Sequence, residues 1–469
     1  MRIPFDLIAA IFCAEGVGRY LDLKYHGTQP AFMSSGRMML SWLGLLLVAW
    51  LSNELVVRDV EWRTRFGFLP SGYKTRSHPL VTFNRMTLVA QALTVGLYSG
   101  ILYLTQWPLW VMRWPAWLGI YADAKLAHLR LSDSMIASVL LNTGPFLLAM
   151  LISWLPRRRL ISGIRGRKVP LWAYLSSEAR LTWLPLVLVA FGTVIRDVSE
   201  ILPKDYTEWS SRPGIDILLT VLSMGALWTI GLPQLVIWVW QCKPLPDGEL
   251  KDRLVALAQR SGVKAREILV WGSRESALLN ACVLGAWSRY RYVLISPALV
   301  DELGLEETEA VLAHELGHAR YGHLSLLFVL MLCISAVISP VLDALPENWR
   351  QSPLAQGACA LALLVFSIRV FYGTIMRQCE READLASAEL MGTPRPLVNA
   401  LERLAMITGN IRKVWSWHHG STAERVEAVT RLSGDPVSSR RFHARLRWLR
   451  IALTLLTVAV LGVELFVKL

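Results

Sequence analysis

The hydrophobic and polar positions of this chain fall into two regimes. Apolar runs of membrane length occur near 38–57, 86–105, 135–155, 179–202, 215–240, 324–345, 354–376 and 451–467. Spanning a bilayer core takes roughly 20 predominantly apolar residues. The fourth run is the weakest, its clean core being Leu181 to Ile195; the eighth is short and contains Glu464. Between the fifth and sixth runs the pattern becomes that of a soluble domain. ELKDRLVALAQRSGV carries apolar residues at helical spacing and ends at Gly262. REILVWG, SALLNACVLG and RYVLIS predict three strands, the last two joined by a polar turn around Ser288. EETEAVLAHELGHARYG predicts an amphipathic helix. The expected fold class is mainly α: a polytopic membrane protein of about seven or eight transmembrane helices with a small α+β domain.

Composition supports the membrane part. Only 18% of residues are charged, against about a quarter in soluble domains. Twenty tryptophans, several in WPLWVMRWPAW (107–117), suit the aromatic belt of a membrane interface. The net charge of +13 is read as basic cytoplasmic loops, with no nucleic-acid partner expected. Lys and Arg counts alternate along the loops: six in 58–85, three in 113–130, six in 157–168, three in 196–212 and thirteen in 377–450. That alternation puts 241–323 and 377–450 on the cytoplasmic side. A basic N-terminal tail (Arg2, Arg19, Lys24, Arg37) is then expected outside, against the rule. The stretch MRIPFDLIAAIFCAEGVG is a poor signal peptide, because Asp6 interrupts its short apolar run. The six cysteines include no CxxC pair, so neither a disulfide framework nor a cysteine zinc site is expected.

The chemistry concentrates in HELGHARYGH, His314 to His323, directly before the sixth run. His314 and His318 are one helical turn apart on one face. Two such imidazoles can meet one zinc, and Glu315 beside them can act on a zinc-activated water. Two packed histidines on an ordinary helix would not explain a glutamate interrupting the apolar stripe. A catalytic zinc takes a third protein ligand. Past two spans, MRQCEREADLASAEL places Glu380 and Asp384 on one face of a second helix. Glu380 is the candidate third ligand and Asp384 the carboxylate that orients a ligand histidine. The bland alternative is a solvated charged helix, since Arg377, Arg381 and Glu382 lie there too. His323 and Cys379 are rival third ligands. His323 points to another helix face, and Cys379 faces away from the Glu380–Asp384 side.

HELGH, two spans and then RxxExxAD resemble the zinc metallopeptidases that include the CaaX prenyl endopeptidase and the heat-shock membrane protease HtpX. LLNACVLG resembles that family's substrate strand, here Asn280, Ala281 and Gly285. HHGSTAERVEAV resembles its His-Pro-Ser…Glu-Arg segment, here His419, Ser421, Glu424 and Arg425, with Gly420 replacing the usual proline. That replacement is expected to loosen the turn. Methionine precedes Arg377 where serine is common. The resemblance covers roughly 245–432. Five spans before the motif match the prenyl protease type in number, whereas HtpX has two; an eighth span departs from the seven-span prenyl protease pattern. The resemblance implies one Zn2+ per chain on His314, His318 and Glu380, with Glu315 as general base. It implies that His419 hydrogen-bonds the substrate carbonyl or oxyanion and that Arg425 pairs with the zinc carboxylate. Asn280 would stand on an edge strand that holds the substrate backbone.

The expected organisation is 1–240, an N-terminal region of about five spans; 241–323, a metallopeptidase subdomain with a small sheet and the HELGH helix; and 324–376, a two-span hairpin. There follow 377–450, the third-ligand helix and C-terminal catalytic segment, and 451–469, a possible last span. Both ligand helices are expected to extend transmembrane helices, with His318 roughly 9 Å below Leu324 at helical rise. The expected function is zinc endopeptidase action on membrane-associated proteins in quality control, in a bacterial inner membrane or a eukaryotic endomembrane. The alternatives are maturation of a defined, prenylated CaaX-type peptide, or a non-catalytic zinc scaffold. An intact Glu315 argues against the scaffold, which needs no base. A transporter is poorly supported, because within the spans few charges occur beyond Arg369 and Glu464.

Overall fold

The computed structural model describes residues 5–25, 33–65, 79–111, 135–164, 168–182 (apart from 177 and 181), 222–271 (apart from 224), 279–407 and 412–468 (apart from 418). The chain divides into two units, Met1–Trp209 with Leu342–Ala362, and Ser210–Val341 with Leu363–Leu469. Among the described residues, six helices are long and apolar enough to cross a membrane: Ser35–Trp62, Arg85–Thr105, Val139–Ser162, His323–Asp343, Ala355–Met391 and Pro436–Val463. They coincide with the first three and last three expected runs. The run 179–202 lies almost wholly outside the described residues, as does 112–117 of the tryptophan stretch. The described part of 215–240 forms the short apolar helix Leu227–Val239.

The first unit contains helices α1 (Phe5–Lys24), α2 (Ser35–Arg65), α3 (Pro79–Thr105) and α4 (Met135–Ile164). Helix α1 corrects the expected N-terminal tail. Leu7, Ala10, Ala14, Val17 and Leu21 recur every three or four residues and are buried against Leu45 and Ala49 of α2, Tyr98 and Leu102 of α3 and Phe146 of α4. Asp6, which breaks the apolar run in the sequence, accepts a 2.8 Å hydrogen bond from Gln91 of α3. The outward faces remain apolar: Leu40, Leu47, Leu88 and Leu104 are exposed. Exposed apolar surface on this scale suits lipid rather than water.

The second unit carries the site. Helix α5 (Leu232–Val239) leads into strand β1 (Lys243–Pro244), helix α6 (Glu249–Ser261), and strands β2 (Glu267–Val270), β3 (Ala281–Leu284) and β4 (Tyr292–Ile295). The sheet order is β1-β2-β4-β3. β2 runs parallel to β4 and β3 antiparallel to it, with Ala281 opposite Ile295 and Leu284 opposite Tyr292. All four β4 residues are buried, as a central strand requires, whereas β3 forms the sheet edge. Helices α7 (Pro297–Glu302) and α8 (Leu305–Arg320) follow. Leu254 and Leu257 of α6, Val293 and Ile295 of β4, Leu299 of α7 and Leu312 and Leu316 of α8 share one core. Each such side chain contributes about 1.5–3 kcal/mol by burial. Arg253 of α6 clamps Glu309 of α8 with bonds of 2.7 and 3.0 Å.

After α8 come α9 (His323–Asp343), α10 (Pro353–Ser367), a π-helical turn (Ile368–Tyr372), α11 (Gly373–Met391), α12 (Arg395–Ile407), α13 (Thr422–Ser433) and α14 (Pro436–Lys468). α11 continues α10 through the π turn, so the helix that carries Glu380 does extend a span. α8 does not: it ends at Arg320, and the turn Tyr321–Gly322 separates it from α9. α8 and α11 cross closely because small residues meet there. A Cβ on Gly317 would stand 2.9 Å from the Ala386 Cβ and 3.1 Å from the Ala383 Cα. The glycine of HELGH is thus what lets α8 and α11 touch. The expected last span, 451–467, is the upper part of α14, whose lower half begins at Pro436.

Candidate active site

The crossing of α8 and α11 brings His314, His318 and Glu380 together, with one donor atom from each within 4.8 Å of the others. The two imidazole Nε2 atoms are 3.1 Å apart. Glu380 approaches His314 Nε2 at 3.7 Å and His318 Nε2 at 3.5 Å. Donors held about 2.0–2.1 Å from one tetrahedral ion lie roughly 3.3–3.4 Å from each other, so these separations fit a single metal. Hydrogen bonding points the same way. His314 Nδ1 is 2.8 Å from Asp384 Oδ1, and His318 Nδ1 is 2.8 Å from His323 Nδ1. Protons on both Nδ1 atoms leave two nitrogen lone pairs and a carboxylate aimed at one point. Such a set demands a cation, either a metal or a shared proton.

Local electrostatics express that demand. Burial opposes charge on His314, yet the hydrogen bond it donates to Asp384, with the charge of that carboxylate, outweighs burial and raises the imidazole above its ordinary value. Burial holds His318 well below the usual histidine range, so it is neutral. Burial also pushes the Glu315 carboxyl up to about 7. Glu315 accepts a hydrogen bond from the Val283 backbone amide, which sets its carboxyl against the edge strand.

Arg425 of α13 donates to both Asp384 oxygens, at 2.9 and 2.6 Å, and lies 3.4 Å from Glu380 Oε2. Its main partner is therefore Asp384, with Glu380 second. Burial works against the guanidinium charge, but Asp384 and Glu380 push Arg425 above its ordinary value. His419 Nδ1 is 2.9 Å from Glu380 Oε2, and the side chain is 41% exposed, so one ring edge faces the Glu380 carboxylate and another reaches solvent.

The turn that carries His419 is tighter than expected. Gly420 has φ +75°, a conformation closed to proline. Ser416 and Gly420 exchange backbone hydrogen bonds of 3.1 and 2.9 Å. Arg377 Nη1 donates to the Trp417 carbonyl at 2.6 Å. Ser421 and Glu424 then cap α13 reciprocally. Glycine here replaces one rigid turn by another. Asn280 lies one residue before β3; its backbone accepts from Ser296 N and donates to the Ser296 hydroxyl, at 3.0 and 3.1 Å. Ala281 begins β3. Gly285 ends it at φ +92°, where a Cβ would meet the Tyr290 carbonyl oxygen at 2.0 Å.

Sequence reasoning missed what lies behind His318. His323, set aside as a ligand, turns its Nδ1 to His318 and its Nε2 to Glu382 Oε2 at 2.8 Å. Glu382, grouped with a solvated charged helix, is fully buried. The signal available was its partner: a histidine five residues past HExxH, beside a helix rich in carboxylates.

Comparison with known proteins agrees with this geometry. Peptidase family M48 matches residues 244–442. A protease HtpX homolog of Janthinobacterium sp. (strain Marseille) is 27% identical over 247 residues, covering 49% of this chain and 75% of that protein. The homolog of Aeropyrum pernix is 30% identical over 211 residues, covering 41% of this chain and 64% of the relative. The crystal structure of S. mikatae Ste24p superposes with TM-score 0.54 over 91% of this chain and 99% of that one, at 17% identity, a likeness of fold. The domain match spans both ligand helices and the Arg425 segment. Relatives and fold thus agree: the chain is similar to peptidase family M48 over residues 244–442, resembles the HtpX proteases in sequence, and shares the fold of Ste24p.

Proposed function

We propose that this protein is an integral-membrane zinc endopeptidase that cuts extended segments of membrane-associated proteins at the bilayer surface, in the service of membrane-protein quality control. The carrying observation is the convergence of His314, His318 and Glu380 beside Glu315, with Glu315 hydrogen-bonded to the edge strand β3. One zinc per chain would be held by the two Nε2 atoms and the Glu380 carboxylate. When bound, it supplies Lewis acidity and acidifies a water.

The chain's own groups do the rest. A substrate segment pairs with β3 through backbone hydrogen bonds, which read extended shape more than side chains. Glu315 takes the proton of the attacking water and returns it to the leaving amine. His419, half in solvent and turned toward Glu380, is placed to donate to the developing oxyanion. Asp384 and Arg425 fix His314 and Glu380 from behind.

The catalytic segments 241–323 and 377–450 would face the cytoplasm, with the membrane regions 1–240, 324–376 and 451–469 anchoring them. The loop charges support this orientation. Cysteines placed at the exposed positions Arg260 and Asp435 should be shielded from a membrane-impermeant maleimide in intact cells and labelled after lysis. Labelling of both before lysis would reverse the orientation.

The membrane position of the site supports tethered substrates, since only two residues separate α9 from α8 and α11 continues a span. A membrane-anchored reporter should be cleaved at least about tenfold faster than the same segment freed from its anchor. Equal turnover would sink the juxtamembrane reading. Turnover confined to a prenylated CaaX peptide would move the assignment to peptide maturation.

A further inference from the structure

The two candidate metal histidines are held differently. His314 donates directly to a carboxylate, Asp384. His318 reaches a carboxylate only through a second imidazole. If His318 offers Nε2 to the metal, its single proton is on Nδ1 and is donated to His323 Nδ1 at 2.8 Å. His323 then carries its proton on Nε2 and donates to Glu382 Oε2, also at 2.8 Å. Each tautomer follows from the one before.

Glu382 in turn is held by the C-terminal helix. His443 Nδ1 donates to Glu382 Oε1 at 2.9 Å, and Arg450 Nη2 bonds Oε2. His443 and Arg450 are seven residues apart, on one face of α14. Tyr321, in the turn between α8 and α9, stacks on His443 with ring centroids 4.8 Å apart and lies under the Arg450 guanidinium. His443 Nε2 approaches Glu389 at 3.4 Å and the Tyr321 hydroxyl at 3.5 Å. His323 is 1% exposed and Glu382 not at all. A fully buried carboxylate with three charged or polar donors is costly to assemble for packing alone, and here its position serves the nitrogen behind a candidate ligand.

We propose that the lower half of α14 is a working part of the metal site: through Glu382 and His323, its residues Arg450 and His443 position His318 for metal binding. These are positioning residues; none touches the substrate or the metal. The inference rests on the reading of His318 as a metal ligand. It makes the last helix more than an anchor, because the fixed carboxylate orients the His318 ring and raises its basicity across two imidazoles.

The test uses the full chain purified in detergent. Zn2+ affinity is measured by competition with a chromophoric chelator, and the Co2+-substituted protein gives a visible spectrum that reports ligand geometry. His323→Leu should bind Zn2+ about 10- to 100-fold more weakly and shift the Co2+ bands. His323→Gln should recover most of the affinity, because its amide oxygen accepts from His318 while its NH2 donates to Glu382. Arg450→Met should weaken binding by about three- to tenfold. Wild-type affinity in both His323→Leu and Arg450→Met overturns the proposal, as do equal losses in His323→Leu and His323→Gln, which would indicate packing. If His323→Leu does not fold, Glu382→Gln decides: unchanged affinity there overturns the proposal. Absence of Zn2+ or Co2+ binding by the unaltered protein would instead remove the metal reading on which it rests.

Discussion

Glu315→Gln should leave the zinc content and the fold intact and lower proteolysis by about a hundredfold to ten-thousandfold. Glutamine keeps the volume and one acceptor oxygen, so the hydrogen bond from the Val283 amide survives. It cannot take a proton. The carboxylate is not among the three converging donors, and its removal costs the metal nothing directly. Burial already pushes this group up to about 7, the range in which a carboxylate exchanges protons readily near neutral pH. Rates on a membrane-anchored reporter, measured beside zinc content and thermal unfolding, separate the outcomes. Wild-type turnover in the metal-replete variant would remove Glu315 from the mechanism.

Glu380→Ala should abolish both zinc retention and activity. Two imidazoles remain, and the anion that balances the cation is gone. Arg425 and His419 lose a partner at 3.4 and 2.9 Å. Removing one member of a buried charged cluster costs about 3–5 kcal/mol, so the variant should also unfold at lower temperature than metal-stripped wild type. Elemental analysis after dialysis gives the stoichiometry. Close to one zinc per chain in Glu380→Ala would take this residue out of the ligand set.

Some features were legible because they are local. A 3.6-residue period with two histidines four apart needs no tertiary information to define a face. The long apolar runs and the three strands were readable for the same reason. Helix α1 was partly legible. Its buried positions Leu7, Ala10, Ala14, Val17 and Leu21 follow the helical period, but Asp6 and Glu15 break up its apolar run. Only its neighbours, Gln91 among them, show how such a charge is accommodated.

The arrangement of ligands depended on more than spacing. Gly317 reads as a weak helix former in one dimension; in three it is the contact that lets α8 and α11 approach. Gly420 reads as a loosened proline site and turns out to sit at φ +75° in a closed turn. His323 and Glu382 are 59 residues apart and face each other at 2.8 Å.

By itself the sequence determined the membrane character, the HELGH helix, the second carboxylate helix and the pairing of residue types a metal requires. These follow from periodicity and from the donor chemistry of single side chains. Tertiary structure alone decided which carboxylate serves which histidine, where α8 stops short of its span, and that the last helix reaches back to the ring behind His318. Those depend on how helices cross and on which buried polar groups find partners, and no residue carries that information until its neighbours are in place.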